Sequence, residues 1–124
     1  MADVTPLVPP GRKAIQGYGD GGFLIDGETV GGSILLFDQD VLPWTAGSFE
    51  EISLDSLQPL LDRLDSGILV LGCGERVRLV SPELRGALRE RGLVMEAMDT
   101  GAACRTYNVL VAEERRVAAA LVAV

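Results

Sequence analysis

Gly67-Ile68-Leu69-Val70-Leu71-Gly72 is the stretch on which the fold turns. Its unbroken apolar run suits a strand buried on both faces, as in a sheet covered on each side. Downstream, Ser81-Pro82-Glu83 supplies an N-cap, a proline at the first helical position and an acid that suits the helix dipole. That helix turns Leu84, Ala87 and Leu88 inward and closes at Gly92. Val94 to Met98 reads as the next strand, Thr100 as the cap of a helix from about Ala102 to Ala112, and Val117 to Val122 as a final strand. Strand, helix, strand, helix, strand implies an α/β sheet whose first two strands run parallel through a right-handed crossover.

Upstream, Leu57, Leu60, Leu61 and Leu64 follow a helical period. Pro59 fits only the first turn of that helix, so Asp55 or Ser56 is expected as its N-cap. Earlier still the chain is rich in glycine and short β-like runs: Ala14 to Tyr18, Phe23 to Ile25, Thr29-Val30, Ser33 to Phe37 and Asp40 to Trp44. Asp26-Gly27 marks a hairpin, because the turn needs positive φ and glycine supplies it without a Cβ clash. The expected architecture is an antiparallel β unit joined to an α/β layer.

With 124 residues, 48% of them hydrophobic, the chain suffices for one domain with its own core, expected over residues 13–124 behind a loose proline-rich arm over residues 1–12. The absence of histidine removes the commonest general base, the Ser-His and Cys-His pairs and the commonest metal ligand. Two cysteines, Cys73 and Cys104, are too few for a disulfide scaffold or a four-cysteine zinc site, and point to a reducing compartment. A net charge of −7 argues against nucleic acid. The charge is uneven: residues 1–62 hold ten acids and two bases, while residues 63–124 hold eight acids and nine bases, all arginine. Arg76, Arg78, Arg85, Arg89 and Arg91 are the densest group, either a solvated face paired with acids such as Glu83 and Glu90 or a docking surface for an acidic partner.

Gly17-Tyr18-Gly19-Asp20-Gly21-Gly22 matches the dinucleotide fingerprint in letters only, since hairpin sequence rather than a helix follows it. A tight turn or bulge is the expected structure, and no dinucleotide is expected there. The carboxyl ends of the two parallel strands lead into Gly72 to Glu75 and Thr100 to Asn108, the edge where open α/β sheets place their sites. On that edge the candidate binding residues are Gly72, Gly74, Thr100, Gly101, Arg105 and Asn108. Arg105 and Asn108, one turn apart, are expected to share a face anchored by core-facing Val109 and Leu110.

Taken together, the glycine stretch from Gly17 to Phe23, Gly31-Gly32-Ser33, Leu42-Pro43-Trp44, Leu71-Gly72-Cys73-Gly74-Glu75 and the long run from Met98 to Leu110 resemble a family of small uncharacterised α/β proteins. That family includes the mitochondrial respiratory complex I assembly factor three and an animal adipogenesis-associated protein. The resemblance extends to Arg115-Arg116-Val117-Ala118-Ala119-Ala120-Leu121, and its specific part is Thr100 to Leu110. It implies a three-layer β+α/β fold with a mixed central sheet, an N-terminal antiparallel β unit, and association with other proteins. It brings no catalytic residues. Bacterial members usually carry threonine at the position of Cys73, which argues against an essential thiol there.

Two functions from different classes follow as expectations. One is a non-catalytic protein-binding or assembly-factor-like module, bacterial and cytoplasmic, with an unidentified protein partner. The other is a small-anion binder or enzyme using the edge formed by Gly72 to Glu75 and Thr100 to Asn108. Neither expectation includes a cofactor, a metal, nucleic acid or a transmembrane segment. A concave edge with inward-pointing amides would favour the second, and an edge filled by its own side chains the first.

Overall fold

The computed structural model describes residues 1–3 and 12–124, and two sheets organise them. The first is four-stranded and antiparallel, in the order β1 (Ala2–Asp3), β2 (Ile15–Gly19), β3 (Gly22–Ile25) and β4 (Glu28–Gly31). Its two tight turns follow from Asp20-Gly21 and Asp26-Gly27, where both central residues have positive φ, 54° and 78° in one, 52° and 81° in the other. This geometry matches the natural twist of the strands, and glycine tolerates it best. The fingerprint-like glycines are hairpin: Gly19 pairs with Gly22, and the register shifts between Ile15 and Gly17, so a bulge sits at the start of the stretch. Most of the arm expected over residues 1–12 lies outside the described residues. Its start departs from the expectation, since Ala2 and Asp3 pair with Tyr18 and Gly17.

The second sheet has five strands in the order β6 (Asp40–Pro43), β5 (Ile34–Phe37), β9 (Val117–Leu121), β7 (Gly67–Gly72) and β8 (Leu93–Met98). β7 runs parallel to β8 and to β9, while β5 runs antiparallel to β9 and β6, so the sheet is mixed. The chain order places the last strand in the middle. Val117-Ala118-Ala119-Ala120-Leu121 is fully buried on both faces, and its small side chains let layers close over each.

One face carries a core of Leu35, Leu69, Leu71, Ala118 and Ala120 with Leu88 of α2 (Pro82–Glu90) and Leu57, Leu60 and Leu64 around α1 (Gln58–Leu61). The other face carries Ile34, Leu36, Val70, Ala119 and Leu121 under α3 (Thr100–Ala112) and the first sheet, through Ala103, Cys104, Tyr107, Ile15 and Phe23. The leucine stripe of Leu57 to Leu64 is buried as expected, yet only one α-helical turn forms there, preceded by a 3-10 turn over Asp55–Leu57. Neither Asp55 nor Ser56 caps it. Instead Ser53 and Ser56 exchange bonds, each backbone N–H donating to the other's hydroxyl, and this local exchange competes with a longer helix. Ser81 caps α2 as expected, accepting from the Leu84 N–H.

Candidate functional site

From the carboxyl end of β7 the chain departs to α2 on one face, and from the end of β8 to α3 on the other. Such a divergence opens the crevice in which α/β sheets usually hold ligands. Here the crevice is closed by the chain's own bonds. The Cys73 N–H donates to the Met98 carbonyl at 2.8 Å, and the Thr100 N–H donates to the Gly74 carbonyl at 2.8 Å. The Thr100 hydroxyl accepts from the Gly74 N–H at 3.0 Å and donates to the Val122 carbonyl at 2.7 Å. A Cβ on Gly72 would stand 2.9 Å from that hydroxyl oxygen and 3.0 Å from the Thr100 Cα, so glycine is what lets α3 start flush against β7.

The Thr100, Ala102 and Ala103 amides at the start of α3 are likewise taken. Asp99, not Thr100, is the N-cap: its carboxylate accepts from the Ala102 N–H at 2.8 Å, and its carbonyl accepts from the Ala103 N–H. Thr100 has helical geometry and a buried side chain, because its hydroxyl is needed below the helix rather than ahead of it. Gly101 lies under the Tyr18 ring, where a Cβ would come 2.6 Å from the phenol oxygen. The hollow left outside, about 260 Å³, is lined by Tyr18, Gly74, Glu75, Asp99, Gly101 and Val124 and presents two carboxylates. Its sign opposes an anion.

Asn108 does not share a surface with Arg105. It is only 4% exposed, and its amide exchanges two hydrogen bonds with Ile15, accepting from the N–H at 2.9 Å and donating to the carbonyl at 2.8 Å. Val109, expected in the core, is 56% exposed, and Leu110 is half-buried. Of the six candidate residues only Arg105 reaches solvent, where it donates to the Tyr18 hydroxyl at 3.2 Å. Among the described residues no group of acids and cysteines is placed to hold a metal, and no helix is long and apolar enough to cross a membrane.

Residues 15–122 match the family described as "Protein of unknown function (DUF498/DUF598)". The chain belongs to this family. It is 39% identical over 111 residues to the Xenopus tropicalis protein named NADH dehydrogenase [ubiquinone] 1 alpha subcomplex assembly factor 3, a match covering 87% of this chain and 60% of that one. The chain thus spans about 60% of the length of that relative. A crystal structure from Bordetella parapertussis superposes with a TM-score of 0.83 at 34% identity, covering 91% of this chain and 98% of the other. A Bordetella pertussis protein described as a Mth938-like domain superposes with a TM-score of 0.80 at 29% identity, covering 96% and 90%. The fold is therefore the mixed α/β architecture of these proteins, as the sequence resemblance implied.

In this DUF498/DUF598 member both thiols are free and buried, and they belong to separate cores, Cys73 to the α2 side and Cys104 to the α3 side. Burial pushes both thiols up, Cys104 from an ordinary 9.0 to about 12, so neither is a poised nucleophile. A thiol whose pKa is raised by folding adds stability that is whole below the unfolded value and is lost as pH climbs through the folded one. For Cys104 that window runs from 9.0 to about 12, and burial shifts Tyr107 in the same direction. Raising the pH from about 8 to about 11 is expected to lower the urea midpoint steadily, and less so in Cys104→Ala, since the variant has no thiol to ionise. Equal slopes for both proteins would remove Cys104 as a contributor. Neither thiol is expected to react with Ellman's reagent before the protein is unfolded.

The candidate site residues lie on the strand ends, and the segment that follows entered the sequence reading only through Arg76 and Arg78, as part of an arginine group, without its apolar residues. Val77 and Leu79 are 62% and 92% exposed, alternating with Arg76 and Arg78. Arg78 stacks 4.7 Å over the Phe49 ring and pairs with Glu50 at 2.7 Å. The Glu50 carboxyl is held below its usual range, first by a backbone hydrogen bond and then by that guanidinium. The available signal was the alternation of arginine with apolar residues between a buried strand and a helix cap. Among the described residues no ion pair joins these arginines to Glu83 or Glu90, one of the readings the sequence offered, and Arg85 donates to the Met95 carbonyl at 3.2 Å.

Proposed function

We propose that the chain is a non-catalytic protein-binding module of assembly-factor type, holding a protein partner on its surface during incorporation into a larger complex. The observation that carries this reading is the closed strand-end crevice, in which Thr100, Asp99 and Tyr18 occupy the places an anion or substrate would take. The name of the Xenopus relative supports the same class of role. A cytoplasmic, reducing location accords with two free buried thiols.

The test is affinity purification of the tagged full chain from its native cell at native expression, with mass spectrometry. A protein partner near equal stoichiometry is expected. Recovery of the chain alone, together with saturable binding of phosphate or a carboxylate by calorimetry, would replace this reading with the anion-binding one. Arg105, the exposed candidate residue, enters the same experiment. Arg105→Ala is expected to shift stability by less than about 0.5 kcal/mol, as surface substitutions do, while weakening recovery of the partner. If it unfolds the protein and recovery per folded molecule stays normal, Arg105 is structural.

A further inference from the structure

The outer side of α3 carries an ordered pattern. Ala103, Cys104, Tyr107 and Val111 face the core, while Arg105, Val109 and Glu113 stand exposed at successive turns. Residues four apart lie one above the other, so these three form a single ridge. Val109, 56% exposed, is its centre, with a cation one turn before it and a carboxylate one turn after. Neither charge is strongly committed within the chain. Among the described residues Arg105 has no ion pair and donates to the Tyr18 hydroxyl at 3.2 Å. Glu113 meets Arg115 at 3.9 Å with both side chains more than half exposed, a contact that contributes little in water.

The ground beside the ridge is largely apolar and uncovered. α3 leans on the first sheet through Gly101, Arg105 and Asn108, which meet Tyr18 and Ile15. Its other flank, Thr106 and Leu110, therefore lies toward β8. There α2 covers one face of the strand, with Leu93 and Met95, and the alternation of side chains leaves Val94 and Met98 on the α3 face. Val94 is 58% exposed, and Glu96 between the two is exposed as well, a charge suited to a rim. A ridge that reads positive, apolar, negative complements a copy of itself turned about a two-fold axis. With the axis at Val109, positions 105 and 113 are exchanged, and so are 106 and 112, a threonine and an alanine small enough for two helices to approach closely.

We propose that the chain forms a two-fold dimer through the outer ridge of α3. The two helices run antiparallel, Val109 of one copy meets Val109 of the other, and each Arg105 pairs with the other copy's Glu113. The Val94 side of β8 lies at the edge of the contact. One pair of helices is a small interface, so a Kd of roughly 1–100 μM is expected. The proposal goes beyond the protein-binding reading, since it concerns two copies of this chain and needs no second kind of protein.

The experiment is sedimentation equilibrium of the purified full chain over a concentration series that spans this range. A rise from monomer to dimer is expected, weaker as salt increases. Val109→Asp should weaken it about tenfold or more, since it sets two carboxylates on the axis, and Arg105→Glu or Glu113→Arg about fivefold or more each. Mixing the last two variants should restore association to within about twofold of the parent, because opposite charges again face one another at both contacts. All three side chains are exposed, so near-UV circular dichroism of each variant should match the parent. Leu79→Ser, next to Val80 on the α2 side of the sheet, should dimerise as the parent does. A chain that stays monomeric throughout, a dimer indifferent to Val109→Asp, or a mixture no tighter than its components would each overturn the assignment. A different protein that co-purifies near equal stoichiometry with a chain shown to be monomeric would leave the protein-binding reading standing and remove this dimer alone.

Discussion

Asn108→Ala is expected to destabilise the protein by about 3–4 kcal/mol, read as a shift of the urea midpoint at unchanged slope, because one amide ties the first sheet to α3. Its two bonds to Ile15, at 2.9 and 2.8 Å, satisfy a backbone N–H and a carbonyl on a fully buried residue. Ile15 pairs with Ile25 of β3 just before the register shifts, β1 pairs only with Gly17 and Tyr18, and the amide bonds the Ile15 backbone from α3. Removing it leaves both backbone groups buried and unpaired, each at a cost of roughly 1–3 kcal/mol. Asn108→Asp sharpens the test, since a carboxylate can accept from the Ile15 N–H but offers the carbonyl no donor. It is expected to be destabilised as well, and to recover part of the loss on acidification as the carboxyl protonates. A change within about 0.5 kcal/mol for Asn108→Ala would show that this bridge contributes little.

Thr100→Val should cost about 2–4 kcal/mol, although the two side chains have the same shape and both are β-branched. Only the hydroxyl is lost, and with it the acceptor for the Gly74 N–H and the donor to the Val122 carbonyl. Those bonds join the end of β7, the start of α3 and the residue after β9, so the variant loosens three elements at one point. Hydrogen exchange should show faster opening at Gly74 and Thr100 than at the middle of β7. If exchange and denaturant midpoint both match the parent, Thr100 is not the clasp of this edge, and the case for a crevice closed by design weakens.

Both residues were candidates for ligand binding on sequence grounds, and the side-chain polar atoms of both bond the chain's own backbone. The reason is that a threonine or asparagine at the start of a helix after a strand has the same residue type whether its polar atoms meet a ligand or the chain's own backbone. The Ile15 atoms that claim Asn108 lie 93 residues away, and the Val122 carbonyl that claims Thr100 belongs to a segment with no polar signature of its own. By contrast, the exposed alternation of Arg76, Val77, Arg78 and Leu79 was readable as a pattern, but its exposure was not, because an apolar residue in a connection can equally turn inward.

By itself the sequence determined whatever depends on neighbours along the chain. Aspartate-glycine pairs set the two hairpin turns, since positive φ is a local requirement. Ser81-Pro82 set the start of α2, since a cap bond spans three residues. The parallel pairing of β7 and β8 followed from a single intervening helix. Tertiary structure alone decided the place of β9 between β5 and β7, because an all-apolar, largely alanine strand carries no period that selects a partner. It also decided that Asp99 rather than Thr100 caps α3, and that the strand-end crevice is shut. Those outcomes rest on bonds between segments distant in sequence, whose energies exist only once the layers have packed.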